Sequence, residues 1–340
     1  MSLSPKVGRK ERIDRGIKVR TDGVYAISSW REITYLLFPR VLFIGGLLVL
    51  PLILSFAPYW QRVVSIVCIY ALLAISFDFL ANYVGLVSLG GAFYVGIGAY
   101  LAALCNTKLG LPPVVTIPVA TVLGAGICTL LFLPCLPLRG VYFAIVSLMY
   151  PLLCARLIEA FDIFGGTDGI FGVSPMAGEW VERYVLILAV LFFVFGMRRM
   201  IDEDVGLVFR GVKDNDQAVK ASGINITLYK AWGVFIAASM GCFGGACLVH
   251  IYMWAGLSQF ALDFSIIPIA STVVGGSGTL IGPVIGSLLL VPISELLRDF
   301  GTLRIAVYAA ILTLFIVFKS EGIMNYITRK YEQFERWVEL

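Results

Sequence analysis

The sequence predicts an all-α, polytopic membrane protein of about eight to ten transmembrane helices, and three observations carry that prediction. Of the 340 residues, 59% are hydrophobic and only 14% charged, the balance of a chain that folds in lipid. Apolar runs, read at about 20 residues per crossing, recur near 41–57, 62–80, 86–105, 113–137, 138–160, 181–198, 229–253, 264–276, 281–298 and 303–319. The Lys and Arg residues are split twenty to six between the two faces that these spans define. Positive charge collects on the cytoplasmic side of a bilayer. Both termini and the polar stretch 197–230 are therefore expected in the cytoplasm, with six spans preceding that stretch.

Residues 1–40 form a basic segment, with Lys6, Arg9, Lys10, Arg12, Arg15, Lys18 and Arg20 set against Glu11 and Asp14. Anionic lipid attracts such a segment. Trp30, Tyr35 and Phe38 predict an interfacial helix leading into the first span. A signal peptide is not expected, because the basic stretch is too long before the first apolar run. The transmembrane domain then occupies 41–319, and 320–340 is a cytoplasmic tail.

Residues 85–100, GLVSLGGAFYVGIGAY, are rich in small residues, and 275–287, GGSGTLIGPVIGS, resemble them. Each stretch lies one span into a block of about four, 62–160 and 229–319, which predicts an inverted repeat. Short or broken helices at matching places in two halves point to a pathway at the bilayer midplane. That places Ser88, Gly90, Gly91, Tyr94, Gly96 and Gly98 with Gly275, Gly276, Ser277, Thr279 and Gly282 on a substrate pathway. Helix starts at Ser88–Gly91 and Ser277–Thr279 are expected to aim their dipoles inward, at a substrate carboxylate. The alternative is that both stretches are packing seams of small residues. Neither is followed by Gly-Lys-Ser/Thr, so no phosphate loop is expected and any ATP hydrolysis belongs to another chain.

The segment 197–230 is the one long polar interruption. Val205, Val208, Phe209, Val212 and Val219 recur at helical spacing, with Arg210, Lys213, Asp214 and Asp216 around the rest. Asp202 to Asp204 suit the positive start of a helix, and Gly223 suits its left-handed end. The prediction is one amphipathic helix outside the bilayer with an apolar ridge open to a partner; the alternative is a solvated loop with helical rhythm.

Single residues exclude other chemistry. His250 is the only histidine, so no multi-His metal site forms and no metal is expected. No Ser or Cys nucleophile has a histidine partner in view, which leaves hydrolase chemistry without support. The seven cysteines fall in or beside apolar runs and read as packing residues. Asp78 lies near the cytoplasmic end of its span, where a buried carboxylate costs about 2.5–3.5 kcal/mol and needs a partner. A structural tie shared with Asn82 is expected, and Glu295 and Arg298 are expected to pair.

The run FRGVKDNDQAVKASGIN is similar to the cytoplasmic coupling segment of ABC importer permeases, in which Glu-Ala-Ala is followed by three residues and Gly. Here Gln217-Ala218-Val219 precedes Lys220-Ala221-Ser222 and Gly223, with Gln217 in place of the Glu. SLGGAFYVGIGAY, LRGVYFAIVSLMY, FGGTDGI, this segment and VVGGSGTLIGPVIGSLLL stand in the order seen in branched-chain amino acid permeases. The resemblance runs from about 62 to 318 and is to the M-type subunit of that family.

It implies the ABC importer permease fold of about ten spans in a bacterial inner membrane. The partners implied are two ABC ATPase subunits, a second, H-type permease and a periplasmic or extracellular substrate-binding protein; no nucleic acid is expected. No cofactor would be bound by this chain, ATP and Mg belonging to the ATPases. The resemblance assigns ATPase coupling to Val208, Phe209, Arg210, Val212, Lys213, Asp214, Asp216, Gln217, Ala218, Gly223 and Ile224. It places a structural turn at Gly165, Gly166, Thr167, Asp168 and Gly169 near the external gate. Gly91 stands where a His is common, and FKSEGIMNY replaces a Pro-containing ending of the last span. The family also transports urea and other small solutes, and an ATP-independent transporter or channel would use similar small-residue architecture.

Overall fold

The structure, a computed structural model, describes residues 11–12, 30–138, 140–176, 178–297, 310, 313, 315, 322–335 and 337–338. The described residues are overwhelmingly helical. In chain order the helices are α1 (Trp30–Ile53), α2 (Pro58–Phe79), α3 (Gly91–Leu109), α4 (Pro113–Phe132), α5 (Val141–Phe161) and α6 (Glu179–Asp202). They continue with α7 (Asp204–Ala221), α8 (Ile226–Tyr252), α9 (Asp263–Gly275), α10 (Gly282–Leu296) and α11 (Ile323–Glu335). Among the described residues six helical stretches are long and apolar enough to cross a bilayer: Pro58–Val84, Pro113–Cys135, Val141–Phe161, Glu179–Asp202, Ile226–Tyr252 and Leu257–Gly275. The chain is an all-α, multi-pass membrane protein.

The elements follow the apolar runs closely. Pro58 and Pro113 open α2 and α4, where a missing N–H costs nothing. Gly85 and Gly110, at φ +80° and +65°, end the helical runs before them. The first helix runs through position 40 without a break, so the interfacial segment and the first span are one helix. The side chains of Trp30 and Tyr35, Arg298 and, apart from residues 310, 313 and 315, the span expected at 303–319 lie outside the described residues.

Hydropathy does not separate central helices from peripheral ones, because lipid is as apolar as a protein core. Burial does. Of the most apolar window of the α2 stretch 89% is buried, and of α8 72%, against 28% for α5. The central helices pack on each other and on the short helices of the opposite block. Thus α8 packs on α3 and α4, while α2 packs on α9 and α10; α3 also packs on α4, and α9 on α10. Exchanging α2 with α8, α3 with α9 and α4 with α10 reproduces this pattern, the contact signature of two related blocks.

Candidate functional site

Two helix starts meet inside the bundle. The α2 stretch ends in a π turn, Leu80–Val84, closed by Gly85, and the chain runs non-helically to α3. The opposite block has its own break: Met253 turns at φ +55°, Trp254–Ala255 pairs with Ile170–Phe171, and a 3-10 turn at Leu257–Phe260 leads to α9. The Ala92 N–H donates to Ser265 Oγ at 3.0 Å. A Cβ on Gly91 would stand 2.5 Å from the Phe264 carbonyl oxygen, so only glycine allows this approach.

Serines take up the N–H groups at this junction. Leu89 donates to Ser147 Oγ at 2.8 Å and Gly90 to Ser88 Oγ at 3.3 Å, while Ser88 Oγ lies 3.4 Å from Tyr94 Oη. The expected dipole site for a carboxylate therefore has three of its donors already engaged. A pocket of about 10 Å³ remains, lined by Ser76, Leu80, Ser88, Gly91, Tyr94 and Ser265 among others.

The second Gly-rich stretch sits elsewhere. Asp78, fully buried at the end of α2, accepts from Gly278 N–H at 2.7 Å, Leu280 N–H at 3.2 Å and Asn82 Nδ2 at 2.7 Å. Tyr83 Oη donates to the Gly278 carbonyl at 2.7 Å, and Asn325 of α11 donates to the Ser277 carbonyl at 3.2 Å. Thr279 Oγ1 closes the turn between the Gly276 carbonyl and the Gly282 N–H. Gly275 and Gly282 let α9 and α10 touch backbone to backbone. So Gly275, Gly276, Ser277, Thr279 and Gly282 form a turn and a packing seam, not a wall shared with Ser88 and Tyr94. The break matching 85–90 is 253–262, the gap between the apolar runs 229–253 and 264–276, which the sequence reading did not pair with 85–90. Phe264 and Ser265 are the residues that sequence reasoning missed. Gly96 lies under the Phe260 ring and Gly98 against the Cys242 backbone, both as close-packing positions.

The chain turns at 165–169. The Asp168 and Gly169 N–H groups donate to the Gly165 carbonyl at 3.1 and 3.0 Å, and Trp254 Nε1 donates to the Asp168 carbonyl at 2.9 Å. Gly166 packs on Asp162 and Gly169 on Ala255, while Thr167 and Asp168 stay exposed. The same end of the bundle is tied by Asn106, which bonds Ser174, and by His250 Nδ1, 2.7 Å from the Ser174 carbonyl.

The polar segment departs from a single helix with an outward ridge. Within α7, Asn215 breaks the helical conformation at φ −157°, ψ 94°, and its Oδ1 accepts from the Gln217 and Ala218 N–H groups at 3.1 and 3.2 Å. A side chain that can cap starts a second helical piece there. Phe209 and Val212 are buried, Phe209 in a socket of Phe79 at 5.5 Å and Tyr229 at 6.0 Å. The ridge thus docks on the chain's own α2 and α8, because burying apolar surface there needs no partner.

Asp216 lies 3.9 Å from Lys230 of α8, both largely buried. Arg210 stands 4.0 Å from Asp202 and over the Tyr83 ring. Val208 and Ile224 are half-buried, and Gly223 takes φ +82° as expected of the cap. The surface left outward includes Val205, Leu207, Lys213, Asp214, Gln217 and Ala218.

A family profile described as "Branched-chain amino acid transport system / permease component" matches residues 60–319. The chain is 25% identical over 293 aligned residues to the high-affinity branched-chain amino acid transport system permease protein LivM of Salmonella typhimurium, covering 77% of this chain and 69% of the relative. The Escherichia coli LivM matches to the same extent. A probable branched-chain amino acid transport permease protein LivM of Methanocaldococcus jannaschii is 25% identical over 254 residues, covering 64% of this chain and 71% of the relative. No solved structure matches. The chain belongs to the branched-chain amino acid transport permease family.

Proposed function

We propose that the chain is the translocation subunit of an ATP-driven importer for leucine, isoleucine and valine. It works with a second permease, two ATPase subunits and a soluble substrate-binding protein, in a bacterial inner membrane with both termini and α7 in the cytoplasm. ATP and Mg are bound by the ATPases. The observation that carries this reading is the seat of α7. Its apolar side is fixed in the bundle by Phe209, its other side is exposed, and Lys213 rests on Gly85 at the start of the break before α3. A force applied to the exposed side therefore reaches the junction of α3 and α9 through backbone contact rather than through a flexible loop.

Substrate delivered at the far end passes along that junction, where Ser76, Ser88, Tyr94 and Ser265 offer hydroxyls in an otherwise apolar lining. The pocket, of about 10 Å³, is too small for a solute in this conformation. Closure of the ATPases on α7 shifts Gly85 and the 86–90 segment, opening the junction toward the cytoplasm. Alternation between closed and open junctions needs only that the two conformations bind the ATPase dimer unequally.

The test is reconstitution of the chain with its partner subunits in proteoliposomes, with ATP inside the compartment that holds α7. Labelled leucine, isoleucine and valine are expected to accumulate only with ATP and the binding protein. Uptake of urea in their place would reassign the substrate, and uptake without ATPases would make the chain a secondary transporter or channel.

A further inference from the structure

The turn between α5 and α6, at the end of the bundle opposite α7, is built into the break that precedes α9. Ile170 pairs with Ala255 and Phe171 with Trp254. Trp254 Nε1 donates to the Asp168 carbonyl at 2.9 Å, and the rings of Phe171 and Trp254 lie 6.2 Å apart. A Cβ on Gly169 would run into the Ala255 carbonyl, so the two backbones touch.

From Trp254 the link to the α3–α9 junction is continuous. Gln259 is buried, its Nε2 donating to the Trp254 carbonyl at 3.0 Å and its Oε1 accepting from the Gly256 N–H at 2.9 Å. The N–H groups of Ala261, Phe264 and Ser265 donate to the carbonyls of Ser258, Ala261 and Leu262 at 3.1, 3.1 and 2.9 Å. Ser265 Oγ then holds the Ala92 N–H. In parallel, the Phe260 ring stacks on Tyr100 at 5.6 Å, and Tyr100 meets Phe164 of the turn edge-on at 6.4 Å. Asp162, Phe164 and Met253, at φ 49°, 56° and 55°, hold the left-handed conformation that side chains rarely adopt, on both sides of this link. Such backbone persists where the surrounding contacts impose it.

The outward side of the turn combines rings with one sign of charge. Phe164 and Phe171 are 43% and 66% exposed, beside the exposed residues Asp162 and Asp168. Between Arg156 and Arg183 the sequence has five acids, Glu159, Asp162, Asp168, Glu179 and Glu182, and no Lys or Arg. Aromatic rings edged by carboxylates suit a protein surface that presents Lys and Arg, whereas anionic headgroups would be repelled.

We propose that the turn 162–171 is the docking surface for the soluble substrate-binding protein, met by Lys and Arg side chains of that partner, and that Trp254 passes docking on to the α3–α9 junction. This rests on the import reading above and names where the partner engages. The junction then has two handles: α7 bears on the break before α3 from one end of the bundle, and the turn bears on the break before α9 from the other.

The test uses the full chain with its partner subunits in proteoliposomes, titrated with leucine-loaded binding protein while ATP hydrolysis and leucine uptake are read. Asp168→Lys changes a side chain but not the carbonyl that Trp254 holds. It should raise the concentration of binding protein at half-maximal stimulation by about tenfold and flatten its dependence on NaCl. Trp254→Phe keeps a ring and removes the N–H. It should leave the half-maximal concentration near the wild-type value and lower the maximal stimulated rate by about tenfold, and Gln259→Leu should act in the same direction if that variant does not assemble. Thr167→Cys should react with a membrane-impermeant maleimide from the side opposite α7 and be protected by the binding protein, the wild-type chain with its seven cysteines giving the background.

An unchanged half-maximal concentration in Asp168→Lys overturns the docking surface. So does a Thr167→Cys that is silent to the maleimide, as in a turn covered by lipid, or one that the binding protein leaves unprotected. Unchanged maximal rates in Trp254→Phe and Gln259→Leu overturn the relay. If the wild-type complex takes up leucine with ATP and binding protein while the variants match it, the surface fails and the import reading stands. Protection of Thr167→Cys by the binding protein without ATP-driven uptake keeps the surface and removes the import reading.

Discussion

Gly85 and Lys213 are in direct contact: a Cβ on Gly85 would lie 3.0 Å from the Lys213 Cα and 3.2 Å from its Cβ. One residue closes the π turn at the end of α2 and the other lies on the polar helix α7. Gly85 also holds φ +80°, where a side chain adds about 1–2 kcal/mol of strain. Gly85→Ala is expected to leave the complex assembled but to push α7 off its seat. Leucine uptake should fall by about tenfold while ATP hydrolysis continues, a loss of about 1.4 kcal/mol in coupling. Uptake and hydrolysis measured on the same proteoliposomes check this, and a proportional fall in both would mean that the contact serves assembly alone.

Asp78 ties α2 to the turn before α10. Replacing it with Ala leaves the buried N–H of Leu280 without an acceptor, at about 1–3 kcal/mol, and gives up the bond from the exposed Gly278 N–H. Asp78→Asn keeps one acceptor oxygen and should cost less. The expected order of thermal unfolding in detergent is wild type above Asp78→Asn above Asp78→Ala. Unchanged melting with lost uptake would instead make Asp78 a proton carrier.

The fold was legible from the sequence where lipid imposes a rule, and the site was legible only in part. Span positions followed apolar runs because every buried backbone group must be paired within a helix. The Gly223 cap and the Asp78–Asn82 bond were readable because each depends on neighbours within one turn. What failed depended on the third dimension. Helical spacing showed that Phe209 and Val212 share a side, but not that the side faces α2 and α8 rather than a partner. The likeness of 275–287 to 85–100 was one of composition; the Gly282 seam and the Gly91 approach use glycine for the same reason, close backbone contact, at different places. The helix start at Asp263 was marked by the apolar run from about 264, but nothing in hydropathy said that it meets the start of α3 at Gly91.

Two variants of α7 separate its inner from its outer side. Phe209→Ala empties a buried aromatic socket and should cost about 3–5 kcal/mol of stability. Leu207 is 65% exposed, so Leu207→Asp should leave melting within about 0.5 kcal/mol of wild type. Co-purification of the ATPase subunits is expected to survive in the folded fraction of the first variant and to be lost in the second. If Leu207→Asp keeps its ATPases, the outward side of α7 is not the docking surface.

Gly223 tests whether the end of α7 matters by its conformation or by its contacts. Its φ of +82° is left-handed, and a Cβ there would meet nothing within 4 Å. Bulk alone is therefore tolerated, and only the backbone preference of the new residue counts. Asn enters the left-handed region readily, whereas a β-branched residue does not. Gly223→Asn should transport at close to the wild-type rate. Gly223→Val should lose the Schellman-type bond from the Gly223 N–H to the Lys220 carbonyl, now 3.0 Å, and let the second piece of α7 drift from the Asp216–Lys230 pair. Substrate-stimulated ATP hydrolysis and uptake should then fall together while insertion is unchanged. Equal activity of the two variants would show that the left-handed cap has no part in coupling.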